Sequence, residues 1–193
     1  MESAYSVQRE TVHWFILKTD GHAMAVFLQK AALGIGSNLG DSVRLIHHAI
    51  NCLDKRGFTI EAASSFYRTT PVGCAEGTPT FVNAAVIGSW SGTAAELLAL
   101  CQSIERQSGR PAQRERNNPR TLDLDILLFD NSIVETHNLR IPHPRLRQRL
   151  FALVPLEEIA PDWPVPPDGR TITSLCADLK QMQRDERETL KKL

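Results

Sequence analysis

The sequence predicts an α+β fold, an antiparallel sheet carrying helices in the order βαββαβ, and three observations predict it. Four β-compatible stretches, 25–35, 58–69, 80–89 and 122–128, are bounded by turn residues. Two of the intervals between them place apolar residues at helical spacing. The one glycine turn that could open a dinucleotide-binding fold has the wrong spacing. Gly34, Gly36 and Gly40 make G-x-G-x-x-x-G, one residue too long, and no βαβ repeat with a suitably placed acid follows. Two split βαβ units in this order give the ferredoxin-like sandwich, with both helices on one face of the sheet.

Residues 1–24 mix polar residues with the short apolar run Trp14–Leu17 and show no sustained period. They read as a poorly ordered extension, with Met24 as an alternative start. Ala25–Ile35 reads as the first strand. Val43, Ile46, Ile50 and Leu53 then form a helical stripe, opened by Asp41 or Ser42 and stopped by Gly57. Phe58–Thr69 is the second strand, broken by Thr70-Pro71-Val72-Gly73, and Thr80–Ser89 is the third. Thr93 and Glu96 make a capping box for a helix whose apolar stripe is Leu97, Leu100, Cys101 and Ile104, with Gln102 and Glu105 on another flank. Gly109 ends it. A basic loop, 110–119, leads into the fourth strand.

Beyond that strand, Asn131-Ser132 marks a turn and Ile133–Ile141 a further edge strand. Pro142-His143-Pro144 is rigid because both prolines fix their backbone. Leu146–Ile159 reads as helix in two pieces around Pro155, and Pro161–Pro167 as an extended linker. Thr173–Leu193 carries a weak stripe of Leu175, Leu179 and Met182 among charges. The expected organisation is therefore an extension (1–24), one domain (25–170) and a helical tail (171–193).

Composition narrows the function classes. The 193 residues hold 22 lysines and arginines against 22 aspartates and glutamates, so no global field advertises nucleic acid or an anionic membrane. Four cysteines without a Cys-x-x-Cys spacing argue for reduced thiols rather than a disulfide scaffold or zinc knuckle. No apolar run has spanning length and no secretory signal opens the chain, so a cytoplasmic protein is expected. His47 and His48 are adjacent on a helix and do not share a face, which argues against a metal pair.

Charge is nevertheless concentrated locally. Arg110, Arg114, Arg116 and Arg120 fall within eleven residues, offset only by Glu115. In the strand that follows, Leu122, Leu124, Ile126 and Leu128 take one parity, and Asp123 and Asp125 the other. The two carboxylates thus leave one face about 7 Å apart at their Cα atoms. A solvated face and a basic surface loop would carry the same residues. Together with a histidine held between prolines, however, they suit Mg²⁺-dependent phosphoryl-type transfer from a nucleotide. Hard oxygen ligands hold the metal, and arginines neutralise the migrating group. No Walker A lysine motif or kinase glycine loop is present.

Gly36-Ser37-Asn38-Leu39-Gly40-Asp41, Ser65-Phe66-Tyr67-Arg68-Thr69, Phe81-Val82-Asn83-Ala84-Ala85, Pro119–Phe129 and Ile141-Pro142-His143-Pro144 occur in this order. Together they resemble the 6-hydroxymethyl-7,8-dihydropterin pyrophosphokinase family of folate biosynthesis, over about residues 30–165. The resemblance implies transfer of the β,γ-diphosphate of ATP, the co-substrate, to the pterin hydroxymethyl oxygen, with release of AMP and two Mg²⁺ ions as cofactors. It makes Asp123 and Asp125 the metal ligands, with Asp123 also near the reacting hydroxyl. Arg110 and Arg120 match phosphate-clamping loop arginines. Gln102, Glu105, His143 and Arg149 match nucleotide-contacting positions, so the expected catalytic set is Arg110, Arg120, Asp123 and His143. Thr69, Thr70, Val72, Phe81, Asn83 and Phe151 match pterin-binding positions. The implied partners are ATP and a dihydropterin, with no nucleic acid, no membrane and a monomeric chain.

Two departures accompany the match. Many members carry Trp-Gly-Pro-Arg before the aspartate strand, where this chain has Asn117-Asn118-Pro119-Arg120. Thr70 and Val72 also stand where other residues are common. A less aromatic lid and altered pterin affinity are expected. A degenerate member without activity is the rival reading, and a ferredoxin-like RNA-binding module is disfavoured by the balanced charge and the acidic strand.

Overall fold

The computed structural model describes residues 14–19, 22–71, 77–109, 121–182 and 190–193, with side chains from Phe27 onward. Its first elements are β1 (Trp14–Thr19) and β2 (His22–Phe27), an antiparallel hairpin with Trp14 opposite Phe27. The expected single strand 25–35 is thus shared between β2 and β3 (Gln29–Ser37). Helix α1 (Ser42–Lys55) starts where the Asp41 side chain accepts the Arg44 N–H at 3.1 Å, and Gly57 follows it at φ +94°. A positive φ is the conformation that glycine adopts without a side-chain clash.

The predicted second strand is two, β4 (Thr59–Ala63) and β5 (Tyr67–Thr69), lying in line along the same edge of β6 (Phe81–Trp90). The break has a local cause. The Ser64 N–H donates to the Ala85 carbonyl at 2.9 Å, while the Ala85 N–H donates to the Ser64 hydroxyl at 2.9 Å. A side chain thus takes the place of a backbone acceptor, as serine readily does. Helix α2 (Ala94–Gln107) carries the expected Thr93–Glu96 capping box, and β7 (Asp123–Phe129) follows.

β8 (Val134–Glu135) and β9 (Arg140–Ile141) form a two-stranded antiparallel pair, where one edge strand was expected. A 3₁₀ turn at Leu146–Gln148 precedes α3 (Leu150–Ile159). The helical break therefore lies at Arg149, and α3 runs through Pro155, whose ring is buried with Ala152, Leu153 and Leu156. β10 (Pro164–Val165) and β11 (Arg170–Thr171) make a small hairpin. Of the expected helical tail, α4 (Ile172–Met182) is helix, residues 183–189 lie outside the described residues, and the last residues form strand β12 (Leu190–Lys192).

The main sheet runs β12-β5-β6-β3-β7, with β4 on β6, and every pairing is antiparallel. Alternation along β3 sends Ala31, Leu33 and Ile35 to one face, against Ile46, Ala49 and Leu53 of α1 and Leu97, Leu100 and Ile104 of α2. Ala32, Ala85 and Ile87 face the other way, against Leu153 and Leu156 of α3 and Leu175, Cys176 and Leu179 of α4. The two helices of the βαββαβ order, α1 and α2, share one face, and the later helices α3 and α4 cover the other. Burying each of those leucines contributes about 1.5–3 kcal/mol, which fixes α4 to the sheet. Among the described residues no helix is long and apolar enough to cross a membrane.

Candidate active site

Strand β7 is an edge of the sheet, and its pairing with β3 sets Asp123 opposite Gly36 and Asp125 opposite Gly34. Leu122, Leu124 and Ile126 enter the α1–α2 core as their parity requires. The register then slips: Leu33 faces Ile126 and Ala32 faces Leu128, leaving Leu127 as the extra residue of a bulge. Leu128 consequently joins Leu127 on the α3–α4 side, and Phe129 takes the place in the α1–α2 core that parity assigns to Leu128. Both aspartates precede the slip and keep their common face.

The glycines opposite them shape that face. A Cβ on Gly36 would sit 3.1 Å from the Asn83 Oδ1, and one on Gly34 would sit 3.3 Å from the Leu127 Cδ1. The hollow between Asp123 and the Asn83 amide is thus one that any side chain at 36 would fill. Asn83 is itself opposite Gly36 on β6, and its Nδ2 donates to the Thr69 Oγ1 at 2.8 Å. Thr69 and Phe81 are paired across β5 and β6 on this same face. The glycine spacing was the signal for this hollow, and a Rossmann test discards it by asking only about dinucleotides.

From below β7 come the histidine and an arginine. His143 donates its backbone N–H to the Leu127 carbonyl at 2.9 Å, which fixes the Pro-His-Pro segment to the strand. Its Nε2 stands 3.9 Å from the Asp125 Oδ2, and the Arg149 Nη1 stands 4.0 Å from the same oxygen. The His143 Nδ1 accepts the Arg145 N–H at 3.2 Å, so in the neutral ring Nε2 carries the proton and points its donor into the site. Burial lowers the His143 pKa; the Asp125 charge opposes that shift, and the Arg149 and Arg145 charges reinforce it. Arg149 also lies over the Phe151 ring, 5.1 Å from its centroid.

The remaining residues are placed differently. Glu105 is buried on α2, on the opposite face, where its Oε1 accepts the Leu124 N–H at 2.8 Å at the open edge of β7. Gln102 lies half-buried three residues earlier on that helix. Burial, then the Glu105 and Asp125 charges, push the Cys101 thiol up to about 12. Thr70 follows β5 and is half-buried. Thr121, at the head of β7, has a buried hydroxyl with no partner among the described residues. Val72, Arg110, Arg120 and the departure at Asn117 lie outside the described residues. Among the described residues no three His, Cys, Asp or Glu side chains cluster as a metal cage. A hollow of about 500 Å³ beside Trp90 and Arg56 borders the opposite end of β6 from Phe81.

Fold and face together define a class: an α+β sandwich that presents carboxylates, an imidazole and a guanidinium from one side of an antiparallel sheet. The same fold occurs in solved HPPK-DHPS structures. The Plasmodium falciparum wild-type HPPK-DHPS with pteroate superposes with a TM-score of 0.64 at 14% identity, over 82% of this chain and 44% of that one. The chain spans under half the length of such solved proteins. By sequence, the family model for 7,8-dihydro-6-hydroxymethylpterin-pyrophosphokinase (HPPK) matches residues 32–161, and the chain belongs to that family. A 2-amino-4-hydroxy-6-hydroxymethyldihydropteridine pyrophosphokinase of Bacillus subtilis is 44% identical over 130 residues, 67% of this chain and 77% of the relative. One of Methylorubrum extorquens is 39% identical over 153 residues, 79% and 94% of the two chains.

Proposed function

We propose that this chain is a 6-hydroxymethyl-7,8-dihydropterin pyrophosphokinase acting in folate synthesis, built on a ferredoxin-like core. The sheet order β7-β3-β6-β5, with α1 and α2 together on one face, supports that topology. The observation that carries the function is the convergence on one sheet face of Asp125, His143 and Arg149 beside the Asn83–Thr69 pair. Family membership supplies the reaction: the pterin hydroxymethyl oxygen bonds to the β-phosphorus of ATP, the bridge to the α-phosphorus breaks, and AMP leaves.

Asp123 and Asp125 would hold Mg²⁺. Paired carboxylates suit this ion, which keeps several waters and shares substrate phosphates. When bound, it supplies charge neutralisation on the migrating group. Asp123, beside the hollow over Gly36, stands at the reacting hydroxyl. The His143 Nε2–H and Arg149 donate to phosphate oxygens, a task for which a neutral, oriented imidazole is suited. Arg110 and Arg120 clamp the triphosphate in this reading. Asn83 offers a donor and an acceptor to the pterin edge, Thr69, Thr70 and Val72 line it, and Phe81 and Phe151 offer π faces. Gln102 and Glu105 belong to the nucleotide side, and a monomeric cytoplasmic enzyme is the expected form.

The test is direct. With ATP, Mg²⁺ and hydroxymethyldihydropterin, the protein produces AMP, and Asp125→Ala lowers the rate by at least about 10³-fold. ADP as the product, or an Asp125→Ala variant of wild-type activity, refutes the assignment.

A further inference from the structure

Strand β5 has only three residues, so its own ladder to β6 is short. It nevertheless carries Thr69, whose hydroxyl receives the Asn83 amide. Two features remote in sequence hold it. The chain's last strand, β12, pairs along its outer edge, with Leu190 opposite Thr69 and Lys192 opposite Tyr67. Beyond the pairing, the Leu193 N–H donates to the Phe66 carbonyl at 2.9 Å.

The second feature is Glu158, near the C-terminal end of α3. Its Oε2 accepts the Ser65 N–H at 3.0 Å and the Tyr67 hydroxyl at 2.8 Å. Its Oε1 accepts the Ser65 hydroxyl at 2.8 Å and the Lys192 Nζ at 2.9 Å. One carboxylate therefore ties the turn before β5, the first residue of β5 and the strand that covers β5. Burial alone would raise the Glu158 carboxyl, but these donors outweigh it and bring it down to about 2. The group is ionised throughout the neutral range. Tyr67 is opposite Asn83, so the phenol that Glu158 grips lies on the face that carries the Asn83–Thr69 pair.

We propose that Glu158, with the C-terminal strand β12, is a positioning residue that sets β5 and thereby the Thr69–Asn83 pair for the pterin. The inference rests on the reading of this face as a pterin site. It assigns α3 two roles, with Arg149 at its start facing the phosphate side and Glu158 at its end governing the heterocycle side. Because the linkage acts on β5 and leaves β7 alone, it separates pterin affinity from nucleotide affinity. A residue that only stabilised the fold would move both together.

The experiment measures binding of hydroxymethyldihydropterin, in the presence of α,β-methylene-ATP and Mg²⁺, and of the nucleotide analogue alone. It uses the full chain and its Glu158→Ala, Glu158→Gln and Lys192→Met variants. Losing the carboxylate in Glu158→Ala weakens pterin binding about five- to tenfold and leaves nucleotide binding within about twofold. Glu158→Gln keeps one acceptor oxygen and falls between, while Lys192→Met, at a side chain 57% exposed, folds normally and shows a smaller loss of the same kind. Equal weakening of both ligands, or wild-type pterin affinity in Glu158→Ala and Lys192→Met, overturns the positioning role alone. A wild-type chain that binds the nucleotide but no pterin overturns the pterin-site reading, and this inference with it.

Discussion

Glu105, set on the nucleotide side by the proposed function, also holds the edge of β7, and that structural role can be measured apart from ligand binding. It is 4% exposed, and its Oε1 receives the Leu124 N–H, which lies between the two aspartates on the edge of β7. Replacing it by alanine orphans that buried N–H, at about 1–3 kcal/mol. Removing a buried carboxylate also returns part of its desolvation cost, so the net loss is about 1–2 kcal/mol. Glutamine keeps an acceptor of the same reach and sheds the charge, so Glu105→Gln should match the parent. Urea unfolding reads the difference: with a slope of about 1–3 kcal/mol per molar, a 1.5 kcal/mol loss lowers the midpoint by about 0.5–1.5 M. An alanine variant with an unshifted midpoint refutes the role of the edge hydrogen bond. A glutamine variant that falls as far as alanine refutes it differently, by showing that the charge rather than the acceptor holds the strand.

Three further outcomes follow from the geometry. Gly88→Ala would set its Cβ against the Thr59 carbonyl and 2.7 Å from the Phe58 Cε1, so it should cost about 3 kcal/mol, read as a drop in melting temperature. Gly36→Ala would press the Asn83 Oδ1, which the Thr69 hydrogen bond keeps in place; pterin affinity should fall about fivefold while the urea midpoint stays near wild type. In acid, stability should fall between about pH 4.5 and 2. The Glu158 carboxyl, depressed in the folded state against its ordinary 4.5, stabilises the fold above that range and ceases to as it protonates. Glu158→Gln should flatten this limb of a stability-against-pH curve, and an unchanged slope would show that other carboxylates dominate it.

The fold was legible where a local cause sufficed. The α1 and α2 stripes, the Thr93–Glu96 box and the helix-ending glycines each act within one or two turns, and they place those elements. The interruption of the second strand was illegible because it depends on the Ser64 hydroxyl meeting Ala85, 21 residues away. The second helical layer was hidden for two reasons. Most of α3 is apolar on every side, so no stripe marks its buried face, and α4 shows a weak stripe although Leu175, Cys176 and Leu179 all pack inward. β12 carries two lysines in three residues and looks like solvent-exposed tail; only the acid at Glu158 and the vacant edge of β5 make it a strand.

At the candidate site, the parity of Asp123 and Asp125 was enough to put both on one face, because a strand leaves no other choice while its register holds. What parity could not supply was the point at which the register fails. The bulge at Leu127 comes two residues after Asp125, and that order matters. Had the slip come at Leu124, the second aspartate would have turned into the α1–α2 core, where an ionised carboxylate is costly without a partner. Placed where it is, the slip leaves Leu127 on the face its parity assigns, over Gly34 and next to Asp125, and the Leu127 carbonyl receives the His143 N–H. The residue at which the alternation ends is thus also the one that anchors the histidine, whose Nε2 stands 3.9 Å from the acid. The leucines of β7 do more than anchor the strand: the Leu127 carbonyl is where the backbone of the site histidine is attached to it.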